Sequence, residues 1–261
     1  MHRFFIAPEL LKKTGIEISL PNEQAHQIRD VLRLTIGEQL LLLDNSGGEI
    51  LAAIAKIGKT GVEVHLVERR PGKSEPRVRI ILCQGLLKSA RFEWILEKGT
   101  ELGVSVFAPV LCRRSMAGLE DAGPSKMQRW QRIIQEAAEQ SGRSRLPELL
   151  PIRPLMHALN NIPHGALAIM PWEEEHSHTL HDVLTSAGNV GATLAIARSV
   201  QAPLPQPTIV LFIGPEGGLM AEEVMLAQRL GVQVVTLGSR ILRAETAALS
   251  AVAIVMYELE R

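Results

Sequence analysis

Thr208-Ile209-Val210-Leu211-Phe212-Ile213-Gly214-Pro215-Glu216-Gly217-Gly218 is a short apolar run that stops on a proline set among glycines. Such a run, bounded by turn residues, reads as a β-strand ending in a tight loop. Moving outward, the same pattern recurs at Val78–Cys83, Val104–Leu111, Leu167–Met170 and Val232–Leu237. Helical periodicity falls between and after these runs, at Arg91–Leu102 (stopped by Gly103), Pro124–Ser141, Leu180–Ser186, Ala221–Leu230 and Ala244–Leu259. Strands alternating with helices predict a parallel α/β sheet with helices on both faces.

Before Val78 the pattern is different. Arg3–Ile6, Gln39–Asp44, Glu49–Ile57 and Val62–Arg69 read as strands, and the last three are joined by Asn45-Ser46-Gly47-Gly48 and Gly58-Lys59-Thr60-Gly61. Both connections are good hairpin turns. Pro21-Asn22 is expected to open a helix reaching about Arg33, with Asn22 as its N-cap. A small β-barrel module is predicted, closed off by the linker Pro71-Gly72-Lys73-Ser74-Glu75-Pro76. The expected domains are residues 1–72 and 73–261. No internal repeat or low-complexity segment is apparent.

The chain has 261 residues, of which 46% are hydrophobic and only 3% aromatic. The core is therefore aliphatic, and stacking of bases on aromatic platforms is excluded as a main mode of binding. Formal net charge is zero, but residues 73–150 hold 13 basic against 9 acidic residues, and residues 151–261 hold 6 arginines against 10 acids. A basic middle beside an acidic end suggests a polar, oriented molecule. Cys83 and Cys112 lie in apolar runs and are expected to be buried free thiols, which suits a reducing, cytoplasmic setting. There is no charged leader followed by an apolar stretch and no run of 18 apolar residues, so export and membrane spanning are not expected.

Ligands of parallel α/β sheets bind at the carboxyl ends of strands. Three such ends share an unusual loop chemistry: Phe212–Leu219; Val235-Thr236-Leu237-Gly238-Ser239-Arg240-Ile241-Leu242-Arg243-Ala244-Glu245-Thr246; and Ile169-Met170-Pro171-Trp172-Glu173-Glu174-Glu175. Glycine there lets the backbone approach a ligand closely, although Gly-Pro and Gly-Gly are also ordinary turn punctuation. Ala53–Thr60 approaches a P-loop, but it begins with alanine and lies in a hairpin with no helix to follow. Arg243 leaves an apolar Ile-Leu pair at a strand exit, where it can meet an anion or RNA or simply face solvent. Glu216 can pair with a cationic ligand group or face water. Thr246 is a natural cap for the last helix. His176, His178 and His181 look metal-like but have no neighbouring cysteine, and a solvated stretch is the plainer reading. Arg113, Arg114, Lys126, Arg129, Arg132, Arg143 and Arg145 form the best phosphate-contact stripe, with a solvated helix face as the alternative. No proton acceptor is singled out by spacing.

The order of these pieces resembles the RsmE family of ribosomal RNA uridine-N3 methyltransferases, of the SPOUT class. The resemblance rests on Gly214-Pro215-Glu216-Gly217-Gly218, Leu237-Gly238 and Arg240-Ile241-Leu242-Arg243-x-Glu245-Thr246-Ala247. His2-Arg3-Phe4-Phe5, His26 with Val31-Leu32-Arg33, Lys98 with Glu101-Leu102-Gly103-Val104, and Glu139-Gln140-Ser141-x-Arg143 extend it over essentially the whole chain. It implies a PUA-like N-terminal barrel and an α/β domain with a deep trefoil knot, which no periodicity can reveal. It implies S-adenosylmethionine bent in the knot against Met170, Pro171, Ile213, Gly214, Glu216, Gly217, Leu237, Gly238, Ile241, Leu242, Arg243 and Thr246. It also implies electrostatic roles in catalysis for Arg143 and Arg243, and RNA contacts for Arg3, Arg33, Arg113, Arg114, Arg129, Arg132 and Arg143. No metal is required. A homodimer is implied, and the last helix, apolar nearly all round from Ala247 to Val255, suits burial on more than one face. The competing readings are a SPOUT enzyme acting on the ribose 2′-oxygen and a non-catalytic RNA-binding factor in ribosome assembly.

Overall fold

The computed structural model describes residues 1–12, 17–59, 61–115, 118, 123–186 and 206–260. The chain divides into two compact units, Met1–Glu75 with Gln135–Leu146, and Pro76–Ile134 with Pro147–Arg261.

In the first unit, β1 (Arg3–Phe5), β2 (Glu17–Ser19), β3 (Gln39–Leu43), β4 (Gly48–Ile57) and β5 (Val62–Pro71) form one sheet in the order β1-β3-β4-β5-β2. β1 runs parallel to β3 and the other pairs are antiparallel. The β3–β4 turn is tight because Asn45 and Gly47 take φ of 63° and 96°, and the Asp44 carboxylate accepts the Ser46 N–H at 3.0 Å. Period-two alternation along β4 sends Ile50, Ala52 and Ile54 into a core with Phe4, Ile28, Leu40 and Leu42. The short helix α1 (Pro8–Lys12) and β2 escaped the sequence reading because elements of three to five residues carry too little periodicity to detect. The helix expected from Asn22 to Arg33 is modified. α2 covers Asn22–His26, a single π-helical turn follows over Gln27–Val31, and Arg33 has left the helix at φ 54°. Pro21, not Asn22, is the N-cap, and no side chain caps this end, so the capping role expected of Asn22 is not realised.

The C-terminal part of α4 (Pro124–Ser141) and the residues after it belong to this first unit. Phe5 N–H donates to Glu139 Oε1 at 3.0 Å. The Glu75 carboxylate accepts from Arg143 Nη2 at 3.0 Å and from the backbone N–H groups of Ser144 and Arg145 at 2.8 and 3.0 Å. The presumed linker is therefore tied down: Gly72 N–H donates to Gly47, and Glu75 anchors residues 143–145.

In the second unit, β6 (Arg79–Gly85), β7 (Val106–Leu111), β8 (Glu148–Leu149), β9 (Arg153–Pro154), β10 (Leu167–Pro171), β11 (Thr208–Ile213) and β12 (Gln233–Val235) build one sheet. Its order is β12-β10-β11-β6-β7-β8, with β9 also on β7, and every pairing is parallel. Side chains alternate across it, as the period of a strand demands. Ile209, Leu211 and Ile213 face a core with α3 (Ser89–Glu101) and α8 (Ala244–Leu259). Val210 and Phe212 face the opposite core with α5 (Leu155–Asn160) and α7 (Ala221–Arg229). Both faces are covered, which is why these strands read as unbroken apolar runs. A further helix, α6, is described over residues 180–186. Cys83 and Cys112 are buried, and burial pushes both thiols up to about 12, leaving them protonated and unreactive.

Candidate functional site

Three neighbouring parallel strands, β12, β10 and β11, end on the same side of the second unit's sheet, and their exit loops wall a cavity of about 480 Å³. From β11 come Ile213, Gly214, Glu216 and Gly217; from β10, Pro171; and from the segment after β12, Leu237, Gly238, Ile241, Leu242 and Arg243. Ten of the twelve residues expected against a cofactor thus share one wall. Met170 and Thr246 do not. Met170 is fully buried in the core beneath, because strand alternation turns it away from Pro171. Thr246 sits exposed in the first turn of α8, whose N-cap is Arg243 with no side-chain bond, so Thr246 does not cap the helix.

Local bonds hold these loops in place. Gln84, 1% exposed at the end of β6, donates Nε2 to Gly85 at 2.9 Å and to Gly214 at 3.3 Å, pinning the start of the β11 loop. Gly218 N–H then closes a turn on Pro215 at 3.0 Å, and Arg114 Nη1 reaches the Gly217 carbonyl at 3.1 Å. The loop after β10 is bonded to the end of β12: Trp172 N–H donates to Val235 at 3.0 Å, and Thr236 N–H donates to His178 at 2.8 Å. Gly238 has φ 112° with open space where a Cβ would be, so a side chain there is strained by the backbone rather than blocked by a neighbour.

The electrostatics are mixed. Arg91, from the first turn of α3, places Nη1 3.0 Å from Glu216 Oε1 and Nε 3.7 Å from Glu245 Oε1. This joins α3, the β11 loop and the start of α8. Glu216, for which a cationic ligand group or water was open, is thus paired by the chain's own Arg91. Arg240 and Arg243 line the cavity beside it. Among the described residues, the backbone N–H groups of Ser239, Arg240, Ile241 and Leu242 meet no protein acceptor. The first turn of α8 opens onto the same space, adding its unsatisfied N–H groups and a partial positive charge.

The residues expected on RNA are spread over both units. In the first, Arg143 is 4% exposed and ion-paired with Glu75, Arg3 lies against Gly142, and Arg33 is exposed. In the second, Arg113, Arg114, Arg129 and Arg132 are exposed, but Arg129 already holds Glu93 in a two-pronged contact of 2.7 and 2.8 Å. The reading missed Arg91 and His176 as cavity residues, while Trp172, Glu173 and Thr236 lie in the loops it singled out without having been assigned to the cofactor. A polar Gln84 followed by glycine at the end of an apolar strand was the signal that β6 and the turn after it belonged to the site. The histidine run is split: His176 lines the cavity, while His178 and His181 lie near Glu175 and Glu258. Among the described residues no group of His, Cys, Asp and Glu is arranged to hold a metal, and no helix is long and apolar enough to cross a membrane.

Comparison with known proteins adds relatives that match nearly all of the chain. Residues 73–256 match the RNA methyltransferase domain model, and residues 20–67 match an RNA methyltransferase PUA domain model. A Bacillus subtilis protein named ribosomal RNA small subunit methyltransferase E is 33% identical over 100% of this chain and 98% of its own length. A Synechocystis protein of the same name is 32% identical over 97% of this chain and 76% of its own. The crystal structure of the Neisseria gonorrhoeae enzyme of that name, bound to S-adenosylmethionine, superposes with a TM-score of 0.81 at 28% identity, covering 98% of this chain and 97% of that one. A Legionella pneumophila structure solved with the same cofactor gives 0.79 at 28% identity, with 98% and 97% covered.

Proposed function

The chain belongs to the RNA methyltransferase family, and on that premise we propose that it transfers a methyl group from S-adenosylmethionine to N3 of a uridine in small-subunit ribosomal RNA. The observation that carries this reading is the cavity at the ends of β10, β11 and β12, in a chain whose full-length relatives have been solved with that cofactor.

The donor set fits the group. Ile213, Leu237 and Leu242 offer apolar surface for an adenine ring, and the unspent N–H groups of 239–242 offer donors for polar edges and a carboxylate. Glu216, held by Arg91, keeps the β11 loop in place beside them. When bound, S-adenosylmethionine supplies an electrophilic methyl on a cationic sulfur, so no metal is needed to activate it. The protein's own residues hold it, exclude water and orient the base. Uracil N3 lies on the Watson–Crick edge, so the target base is unpaired or flipped out before transfer. Arg243, at the N-cap of α8 on the cavity wall, stabilises the charge that develops on the uracil oxygens. Arg143, tied to Glu75, acts as a positioning residue for the 143–146 segment rather than by touching the base.

The same reading takes residues 73–261 as a knotted methyltransferase domain and residues 1–72 as a PUA-like barrel that grips RNA. The strand order supports the knot: β12 lies across β10 from β11, and the loop after β10 is bonded to both Val235 and Thr236. A two-fold homodimer is part of the proposal. α8 buries Ala248, Ala251, Val252 and Val255 within its own unit and leaves Leu249, Ala253 and Tyr257 less covered, a stripe for a second copy. Mass spectrometry of RNA nucleosides from cells with and without the gene tests the reaction. N3-methyluridine should vanish with the gene. Loss of a 2′-O-methylated nucleoside instead would move the chemistry to ribose, and loss of none would leave an RNA-binding factor.

A further inference from the structure

This inference rests on the methyl-transfer reading above. Uracil N3 carries a proton, and the nitrogen is a poor nucleophile until that proton leaves, so the cavity must provide an acceptor. The acidic and imidazole side chains on its wall, among the described residues, are Glu173, Glu216 and His176. Glu216 is turned to Arg91 at 3.0 Å, and its charge is spent there. Of the neighbours of Glu173, Glu174 does not reach the wall. Glu175 accepts the backbone N–H groups of Ser177 and His178 at 2.6 and 3.2 Å, so it caps its own loop.

Glu173 differs from these. Its carboxylate has no hydrogen-bond or ion-pair partner among the described residues. It is nevertheless located, because a Cβ on Gly218 would lie only 2.5 Å from its Oε1 and 3.7 Å from Arg114 Nη1. The carboxylate thus rests on the bare Cα of Gly218, between the loops after β10 and β11. Gly218 takes φ 73°, where a side chain is disfavoured, so the space the carboxylate uses stays open.

We propose that Glu173 is the base that removes the N3 proton. The N3–H bond breaks, with the proton passing to a Glu173 carboxylate oxygen. The freed electron pair on N3 forms the new N–CH3 bond. The S–CH3 bond breaks with its electron pair kept by sulfur, leaving a neutral thioether, and Glu173 returns its proton to solvent.

The test is single-turnover methylation of small ribosomal subunits from cells lacking the gene, using wild type, Glu173→Gln and His176→Gln. Calorimetric affinity for S-adenosylmethionine is measured on each protein in parallel. Glu173→Gln should lose about 10²–10⁴-fold in rate, the usual range for a general base, with cofactor affinity unchanged. Its residual rate should rise with pH more steeply than the wild-type rate, as N3 ionises unaided. Subunits reconstituted on RNA carrying 5-fluorouridine, whose N3 is more acidic, should recover part of the loss. A wild-type rate in Glu173→Gln, or a loss that falls on His176→Gln alone, overturns the assignment while leaving the enzyme reading intact. A wild type that binds cofactor yet forms no N3-methyluridine overturns both.

Discussion

Two arginines, one in each compact unit, ion-pair with glutamates, and their surroundings differ. The Arg143 side chain is 5% exposed and its partner Glu75 19%, whereas Arg91 is 42% exposed and Glu216 21%. Glu75 also gathers two backbone N–H groups, so its pair with Arg143 fixes a chain crossing inside the first unit. Arg91 stands on the rim of a cavity, where water or a ligand can replace either contact. Breaking a buried pair strands an uncompensated charge, but breaking a wet one does not. The same pairing chemistry therefore serves the fold in one place and the site in the other.

That contrast sets the largest expected effect. Arg143→Ala should destabilise the protein by about 3–5 kcal/mol in chemical denaturation, because Glu75 is left without its cation. Arg91→Ala should cost under about 1 kcal/mol of stability. It should still weaken calorimetric binding of S-adenosylmethionine, because the Glu216 loop and the start of α8 lose their common anchor. Equal stability losses in the two variants would erase the distinction.

What the sequence revealed follows the same division. The strands of the second unit were legible because both their faces are buried, and the cavity loops were legible because glycine and proline punctuate the strand ends. Arg91 was not legible: it lies more than 100 residues from Glu216 and Glu245, and only the packing of α3 beside α8 brings them together. β8 and β9, of two residues each, carry no period to read. Met170, expected on the cofactor, lies off the cavity wall because a strand residue next to a wall residue points the other way. For Arg143 the sequence offered a helix-dipole role or, through the resemblance, an RNA role, and nothing local announced its ion pair with Glu75, 68 positions away.

Gly238 offers a sharper probe of the cavity. Its φ of 112° excludes most side chains, yet no protein atom would touch a Cβ there. Gly238→Val should lose some stability to backbone strain yet still fold, and bind S-adenosylmethionine at least tenfold more weakly, about 1.4 kcal/mol, by calorimetry. Unchanged affinity in a folded variant would detach this loop from the cofactor.

Glu139 tests the first unit through pH. Burial raises its carboxyl above the ordinary glutamate value, while the N–H of Phe5 and the Gln135 amide pull it back. The folded protein then holds this proton more tightly than the unfolded chain. The stability it contributes is complete below the unfolded value and is lost as pH rises through the folded one. Glu139→Gln keeps an oxygen to accept the Phe5 N–H and carries no charge. Denaturation series should show the variant level with wild type in acid and the more stable of the two at neutral pH. A gap that is the same at every pH would mean that packing, not ionisation, sets the difference.

The smallest effect separates two neighbours on α4. Arg129 and Arg132 are both exposed, but Arg129 holds the Glu93 carboxylate by two nitrogens and would have to leave it to meet a phosphate. Arg132 has no ion-pair partner among the described residues. Each phosphate contact adds close to one unit to the salt slope of RNA binding, because it releases a condensed counterion. Arg132→Ala should therefore flatten that slope by about one unit and weaken RNA binding evenly across sequences. Arg129→Ala should change it by less, since a guanidinium already held by Glu93 does not meet a phosphate and releases no counterion when RNA binds. Fluorescence anisotropy against salt concentration measures both slopes. If Arg129→Ala flattens the slope as much as Arg132→Ala, the grip on Glu93 is given up when RNA arrives, and the whole face of the helix meets the backbone.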